Sequence, residues 1–240
     1  MKEKHIFVNP FRIISPKLDT EASRLEEIYE PPPEEVTRLE EGLLVMCSKL
    51  IEMTTLIYKC LIIADPDKFE RCEQLGQEIH VEEKSLTADL VHNPKSAFEV
   101  LKTVILFPGR LERAGDLLES ILNVARIRAR DVIPFSDKAQ EELTRLFGLM
   151  TKVLTDFRSV LTHRDRRMLG RLMEAHKQLG QMTIDFALAH EDRLIDGLCS
   201  PKASSLYLDI LDSVKNTNLN IRSMTESLIN IADEEASASA

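Results

Sequence analysis

The chain has 240 residues, 43% of them hydrophobic and 30% charged, enough to bury a core in one large domain or two small ones. With only 8 Gly and 10 Pro it is too poor in turn residues for an all-β sandwich or barrel, so helix is the expectation. Lys and Arg number 31 against 40 Asp and Glu, and the resulting charge of −9 repels nucleic acid, which is set aside as a partner.

Residues 1–33 mix short apolar pieces with Pro10, Pro16 and Pro31-Pro32-Pro33, and read as an extended N-terminal arm with one short helix near 21–29. The apolar run Ile6-Phe7-Val8 is too short for a secretory signal, so a cytoplasmic location is expected. From Glu34 a helical period takes over and runs to about residue 64. At about 100° per residue, Lys49, Glu52 and Lys59 of this segment fall with Ser48 and Thr55 on one narrow polar stripe. That is a helix buried on most sides within a bundle, not a membrane span.

Asp65-Pro66 supplies a cap and a first-turn proline for a second helix to about residue 91. Asn93-Pro94 repeats that punctuation and opens a third, to about residue 130, with a kink expected at Pro108-Gly109. Ser136-Asp137 starts a fourth, with Gln140 spaced to close a capping box onto Asp137. A fifth covers about 165–196 and a sixth about 203–233, before a Ser/Ala tail at 235–240 expected to be disordered. The reading is all-α: two tandem three-helix bundles, over 34–131 and 136–234. Two fragments hint at duplication: Gln74-Leu75-Gly76-Gln77 recurs as Gln178-Leu179-Gly180-Gln181, and Leu118–Ala125 resembles Thr225–Ala232.

The chemistry of enzymes is missing. There is no Gly-rich phosphate loop, no Glu-x-x-His of the di-iron kind, and His190-Glu191 lacks the second His of a zinc protease. The cysteines Cys47, Cys60, Cys72 and Cys199 form no Cys-x-x-Cys pair and read as buried thiols of a reducing compartment. No catalytic residue and no organic cofactor is assigned.

What remains is acidic. In Leu111-Glu112-Arg113-Ala114-Gly115-Asp116-Leu117-Leu118-Glu119, three carboxylates stand at i, i+4 and i+7, opposite the apolar stripe of Leu111, Ala114, Leu118, Ile121 and Ala125. A second row, Glu78, Glu82 and Asp89, lies on the outer flank of the second helix. If the rows adjoin, Glu78, Glu82, Glu112 and Asp116 make an oxygen-rich surface suited to a hard or borderline cation; otherwise they are a solvated face. Glu83 sits on the apolar stripe and reads as a partnered or snorkelling acid. Arg126, Arg128 and Arg130, and the basic run His163–Arg167, read as helix-end charges or as a docking edge.

Leu111-Glu112-Arg113-x-Gly115-Asp116 resembles the LERxGD signature of the PhoU family of helical regulators of bacterial phosphate uptake. His190-x-x-Arg193-Leu194 followed by Ser204–Leu211, with Phe135-Ser136 and Glu141-Glu142-Leu143 upstream, is similar to the PhoU-type domain of bacterial sodium/phosphate cotransporters. The resemblance implies two tandem three-helix repeats, no catalysis, and a cytoplasmic regulatory or accessory role exercised by docking on a phosphate transporter or a phosphate-signalling protein. It also implies an iron or zinc site at the Glu112/Asp116 row, the basis of an alternative function in metal sequestration or sensing. The second repeat departs from the signature, with Lys215, Asn216 and Leu219 where Glu, Arg and Asp would stand. Lacking a membrane part, the chain would be peripheral to the membrane at most. Its long amphipathic helices are compatible with a homodimer.

Overall fold

The computed structural model describes residues 33–92, 104–163 and 165–238; the expected N-terminal arm at 1–33 lies outside them except for Pro33, which begins the first helix, and the helix start expected at Asn93-Pro94 lies outside them too. Six long helices account for most of the described chain: α1 Pro33–Ile62, α2 Pro66–His92, α3 Phe107–Arg130, α4 Asp137–Thr162, α5 Arg166–Ile195 and α6 Pro201–Ala238. No strand occurs among the described residues.

Each helix follows from its apolar spacing and its ends. In α1 the buried side chains Leu39, Leu43, Met46, Leu50, Met53, Ile57 and Leu61 recur every three or four residues, a single greasy stripe. Asp65 opens α2, its carboxylate accepting the Asp67 amide at 3.2 Å. Asp165 does the same for α5, accepting the amides of Arg167 at 2.6 Å and Met168 at 3.4 Å. No helix among the described residues is long and apolar enough to cross a membrane.

Three expectations are corrected. The proline at Pro108 does not kink a running helix; Leu106 is the N-cap and Pro108 sits in the first turn of α3, where a missing N–H costs nothing. The cap of α4 is Ser136, whose Oγ accepts the Ala139 amide at 3.2 Å, and Gln140 donates to the Phe135 carbonyl instead of closing a box on Asp137. The last helix continues to Ala238, through Glu and Ala, which favour helix.

Two helices end in the left-handed region. At the end of α5, Gly197 (φ +70°) lets its own amide reach the Leu194 carbonyl and the Leu198 amide reach that of Arg193. The end of α3 has the same pattern, with amides of Val132 and Ile133 bonded to the carbonyls of Ala129 and Arg128, but Val132 occupies the left-handed position at φ 50°. A β-branched residue is strained there.

The helices α1, α2 and α3 pack on one another, as do α4, α5 and α6; in addition α1 packs along α4 and α3 along α6. The long cores of α1, α3, α4 and α6 thus form the centre, with α2 and α5 as outer helices. One buried cluster runs from Leu39 to Leu228 without a break between the bundles. At the junction the rings of Phe107 and Phe157 lie 6.5 Å apart, and those of Tyr58 and Phe147 5.6 Å. Burying an aromatic ring of this size contributes roughly 2–3 kcal/mol each. Arg128 ties the junction further: its guanidinium donates to the Leu61 carbonyl at 2.7 Å and lies over the Phe135 ring, 5.0 Å from its centroid.

Candidate functional site

The acids of the first bundle separate into two sets. Residues 78 and 80 are about 200° apart on a helix, so Glu78 and Glu82 turn toward α1 while His80 turns toward α3. Glu78 receives Lys49 at 3.0 Å and Arg71 at 3.0 Å, and these hydrogen bonds, Lys49 first, hold its carboxyl below the usual range against the opposing effect of burial. Glu82 receives Arg38 at 2.6 Å. On the other side Glu112 meets His80 Nδ1 at 3.1 Å, and Asp116 is exposed, with Arg113 one turn back at 3.9 Å.

Glu119 completes this second set. Its carboxylate lies across Gly76, in the space a Cβ would take, so this placement goes with a glycine there and a larger residue would swing the carboxylate aside. Burial, then the charges of Asp116, Glu73 and Glu112, pushes its pKa up. Glu83, as expected, is a half-buried, partnered acid, accepting the Thr87 hydroxyl at 2.7 Å.

The four acids singled out in the sequence, Glu78, Glu82, Glu112 and Asp116, do not face a common point. Two are engaged by cations, and among the described residues no three His, Cys, Asp or Glu side chains come together to hold a metal ion. The residues therefore do not fit an iron or zinc centre in this arrangement. In α6, Asn216 donates to Asp212 at 2.8 Å.

The second bundle holds the more organised polar structure, and residue spacing did not reveal it. Glu142 of α4 is 2% exposed, and Arg193 of α5 grips both its oxygens, at 2.9 and 2.7 Å. Tyr207 of α6 donates its hydroxyl to Glu142 Oε2 at 2.5 Å, and the His190 ring lies on that of Tyr207 with centroids 4.6 Å apart. Burial, then the Glu142 hydrogen bond, pushes the Tyr207 phenol well up. His190 is pushed down by burial and then by the Arg193 charge, so the ring is neutral near pH 7. The three stretches quoted for the family resemblance, at 141–143, 190–194 and 204–211, thus meet in one network, one residue from each being buried at its centre.

A second buried set lies between α5 and α6. His176 Nδ1 meets Asn218 Oδ1 at 2.6 Å, His176 Nε2 meets Thr225 Oγ1 at 3.1 Å, and Asn218 Nδ2 donates to the His176 carbonyl at 2.9 Å. Burial pushes the His176 pKa down. The detectable sequence signal for both sets was a polar residue on an apolar stripe: Glu142 beside Leu143 and Leu146, His176 between Leu172 and Leu179.

The cysteines are all free. Cys47, Cys60 and Cys72 are buried and Cys199 is partly exposed. Desolvation pushes the Cys47 and Cys72 thiols up to about 12, so they are inert.

No family model matches the sequence, and no curated protein matches it. Solved structures do. The phosphate transport system regulatory protein PhoU from Streptococcus pneumoniae is 15% identical, with 82% of this chain and 95% of that one superposed at a TM-score of 0.70. PhoU from Pseudomonas aeruginosa is 14% identical, with 83% of this chain and 98% of that one superposed at a TM-score of 0.75. The chain has the PhoU-like fold, an all-α pair of three-helix bundles.

Proposed function

We propose that this protein regulates phosphate transport, acting in the cytoplasm by docking on a phosphate transporter or a phosphate-signalling protein, with no chemistry of its own. The observation that carries the reading is the shared architecture: over four-fifths of the chain follows the course of two proteins, one of them described as a phosphate transport system regulatory protein. Exposed apolar side chains on and just after α5, among them Ile184, Leu188, Ile195 and Leu198, offer contact area of the sort partner proteins cover. The regulation would be a shift of the partner's equilibrium through different contact with its two states.

The alternative, a bundle whose function is to hold iron or zinc, has less support. Lys49, Arg71 and Arg38 already neutralise Glu78 and Glu82, which leaves, of the four acids, Glu112 paired with His80 and Asp116 exposed beside Arg113.

Deleting the gene and measuring phosphate uptake tests the main reading. Uptake, or the phosphate-starvation response, changes in the deletion strain and is restored by the intact gene, and cross-linking in intact cells joins the protein to a transporter or sensor component. Unchanged uptake and response, with no such cross-link in either phosphate-replete or starved cells, would overturn it.

A further inference from the structure

Between the starts of α4 and α6 lies a cavity of about 240 Å³, lined among others by Phe135, Ser136, His190, Cys199, Ser200 and Tyr207. Three features make its wall a surplus of hydrogen-bond donors. First, Ser136 and Ser200 cap the two helices: each hydroxyl oxygen accepts an amide of the first turn, from Ala139 and Ala203, both at 3.2 Å, leaving its own proton to donate. Second, both helix N-termini bring their positive ends to the same space.

Third, and independently, His190 is 2% exposed and its Nε2 has no hydrogen-bond partner. Arg193 Nη2 stands 3.5 Å from His190 Nδ1, and a guanidinium only donates, so Nδ1 accepts. The neutral ring therefore carries its proton on Nε2, as an N–H with nothing to give it to. A buried donor left in this state costs free energy that an incoming acceptor would recover. No Asp or Glu lines the cavity, and the nearest buried carboxylate, Glu142, is already saturated by Arg193 and Tyr207.

We propose that this cavity is a binding site for a small oxyanion, phosphate or sulfate in class, held by His190 Nε2–H and the Ser136 and Ser200 hydroxyls, with the positive ends of α4 and α6 turned toward it. The inference does not depend on the regulatory role, since it concerns a ligand and not a partner protein.

The experiment titrates the full-length chain at constant ionic strength with sodium phosphate, sulfate or acetate, chloride making up the balance. Two signals are followed: the His190 Nε2–H resonance in ¹⁵N-histidine-labelled protein, and the melting temperature. Saturable movement of both with phosphate or sulfate is expected, the stronger of the two naming the physiological class. Ser200→Ala should weaken binding about tenfold, the loss typical of one charge-assisted hydrogen bond. His190→Phe, which keeps a ring against Tyr207, should abolish saturation, while Glu112→Gln in the other bundle leaves it intact. No saturable movement of the His190 resonance with phosphate or sulfate overturns the proposal. So does movement that acetate reproduces at equal concentration, or that Ser200→Ala leaves unchanged. The wild-type resonance and Ser200→Ala decide even if His190→Phe fails to fold.

Discussion

Arg193 and Glu142 are joined through both carboxylate oxygens, at 2.9 and 2.7 Å, inside a core where the Arg193 side chain is 15% exposed and that of Glu142 3%. Removing one partner of such a pair strands a buried charge, which costs about 3–5 kcal/mol. Arg193→Met is therefore expected to destabilise by roughly 3 kcal/mol in urea unfolding. Adding Glu142→Gln should regain part of that loss, because the amide needs no counter-charge. A double variant as unstable as the sum of the single ones would show that the two residues do not act as a unit.

Val132 takes the left-handed place at the end of α3 that glycine takes at the end of α5. Relieving the strain outweighs the extra freedom of glycine in the unfolded chain. Val132→Gly should raise stability by about 1 kcal/mol, seen as a higher urea midpoint at unchanged slope. Gly197→Val, the mirror experiment, should lower it.

Glu119 carries the opposite electrostatic sign to a useful carboxylate. Its folded pKa is raised, so it favours the fold only when protonated, below the ordinary carboxylate range, and that contribution is lost as pH rises through the folded value. At pH 7 it is a cost, and Glu119→Gln should stabilise by about 0.5 kcal/mol, the scale of partly exposed charge contacts. The gain should vanish near pH 4. Melting curves at the two pH values check it, and an equal gain at both would show a packing effect instead.

Acid should act on the second bundle through its histidines. Both His176 and His190 have folded pKa values below the ordinary histidine value of 6.5. The stability they contribute is present above that unfolded value and is lost as pH falls toward the depressed folded ones. Melting temperature should therefore drop between pH 7 and pH 5, before most carboxylates titrate. The two rings should also show opposite tautomers by ¹⁵N NMR. His176 carries its proton on Nδ1, because Asn218 spends its amide on a carbonyl and offers only Oδ1; His190 carries its own on Nε2.

The separation of the acidic rows makes a prediction about metal. Exhaustive chelation should leave the melting temperature unchanged, and Glu112→Gln with Asp116→Asn should leave the metal content of purified protein where it was. A fall of several degrees on chelation would mean that these side chains rearrange around a cation.

Most of the architecture could be read from residue order because prolines and caps mark the joints. Asp65-Pro66 and Asp165 each stand where a helix begins, and the apolar spacing from Leu39 to Leu61 identifies the buried face of α1. Pro108 misled because the same residue that breaks a helix interior is favoured in a first turn, and spacing alone does not distinguish them. The acids at 112 and 116 could be placed on an outward face. Which way Glu78 and Glu82 turn depended on Lys49 and Arg38 in another helix, and that required the packing. The Glu142 network is harder still, because its partners lie 51 and 65 residues away and only the fold brings them together.

The double duty of α1 and α3 has a consequence for any attempt to divide the chain. Each lays one flank inside its own bundle and another along α4 or α6, so no cut through the linker near Ile133 yields a half with all its grease covered. Separately expressed halves would each carry a sticky seam down their length, and would find one another, or themselves, before they stood alone.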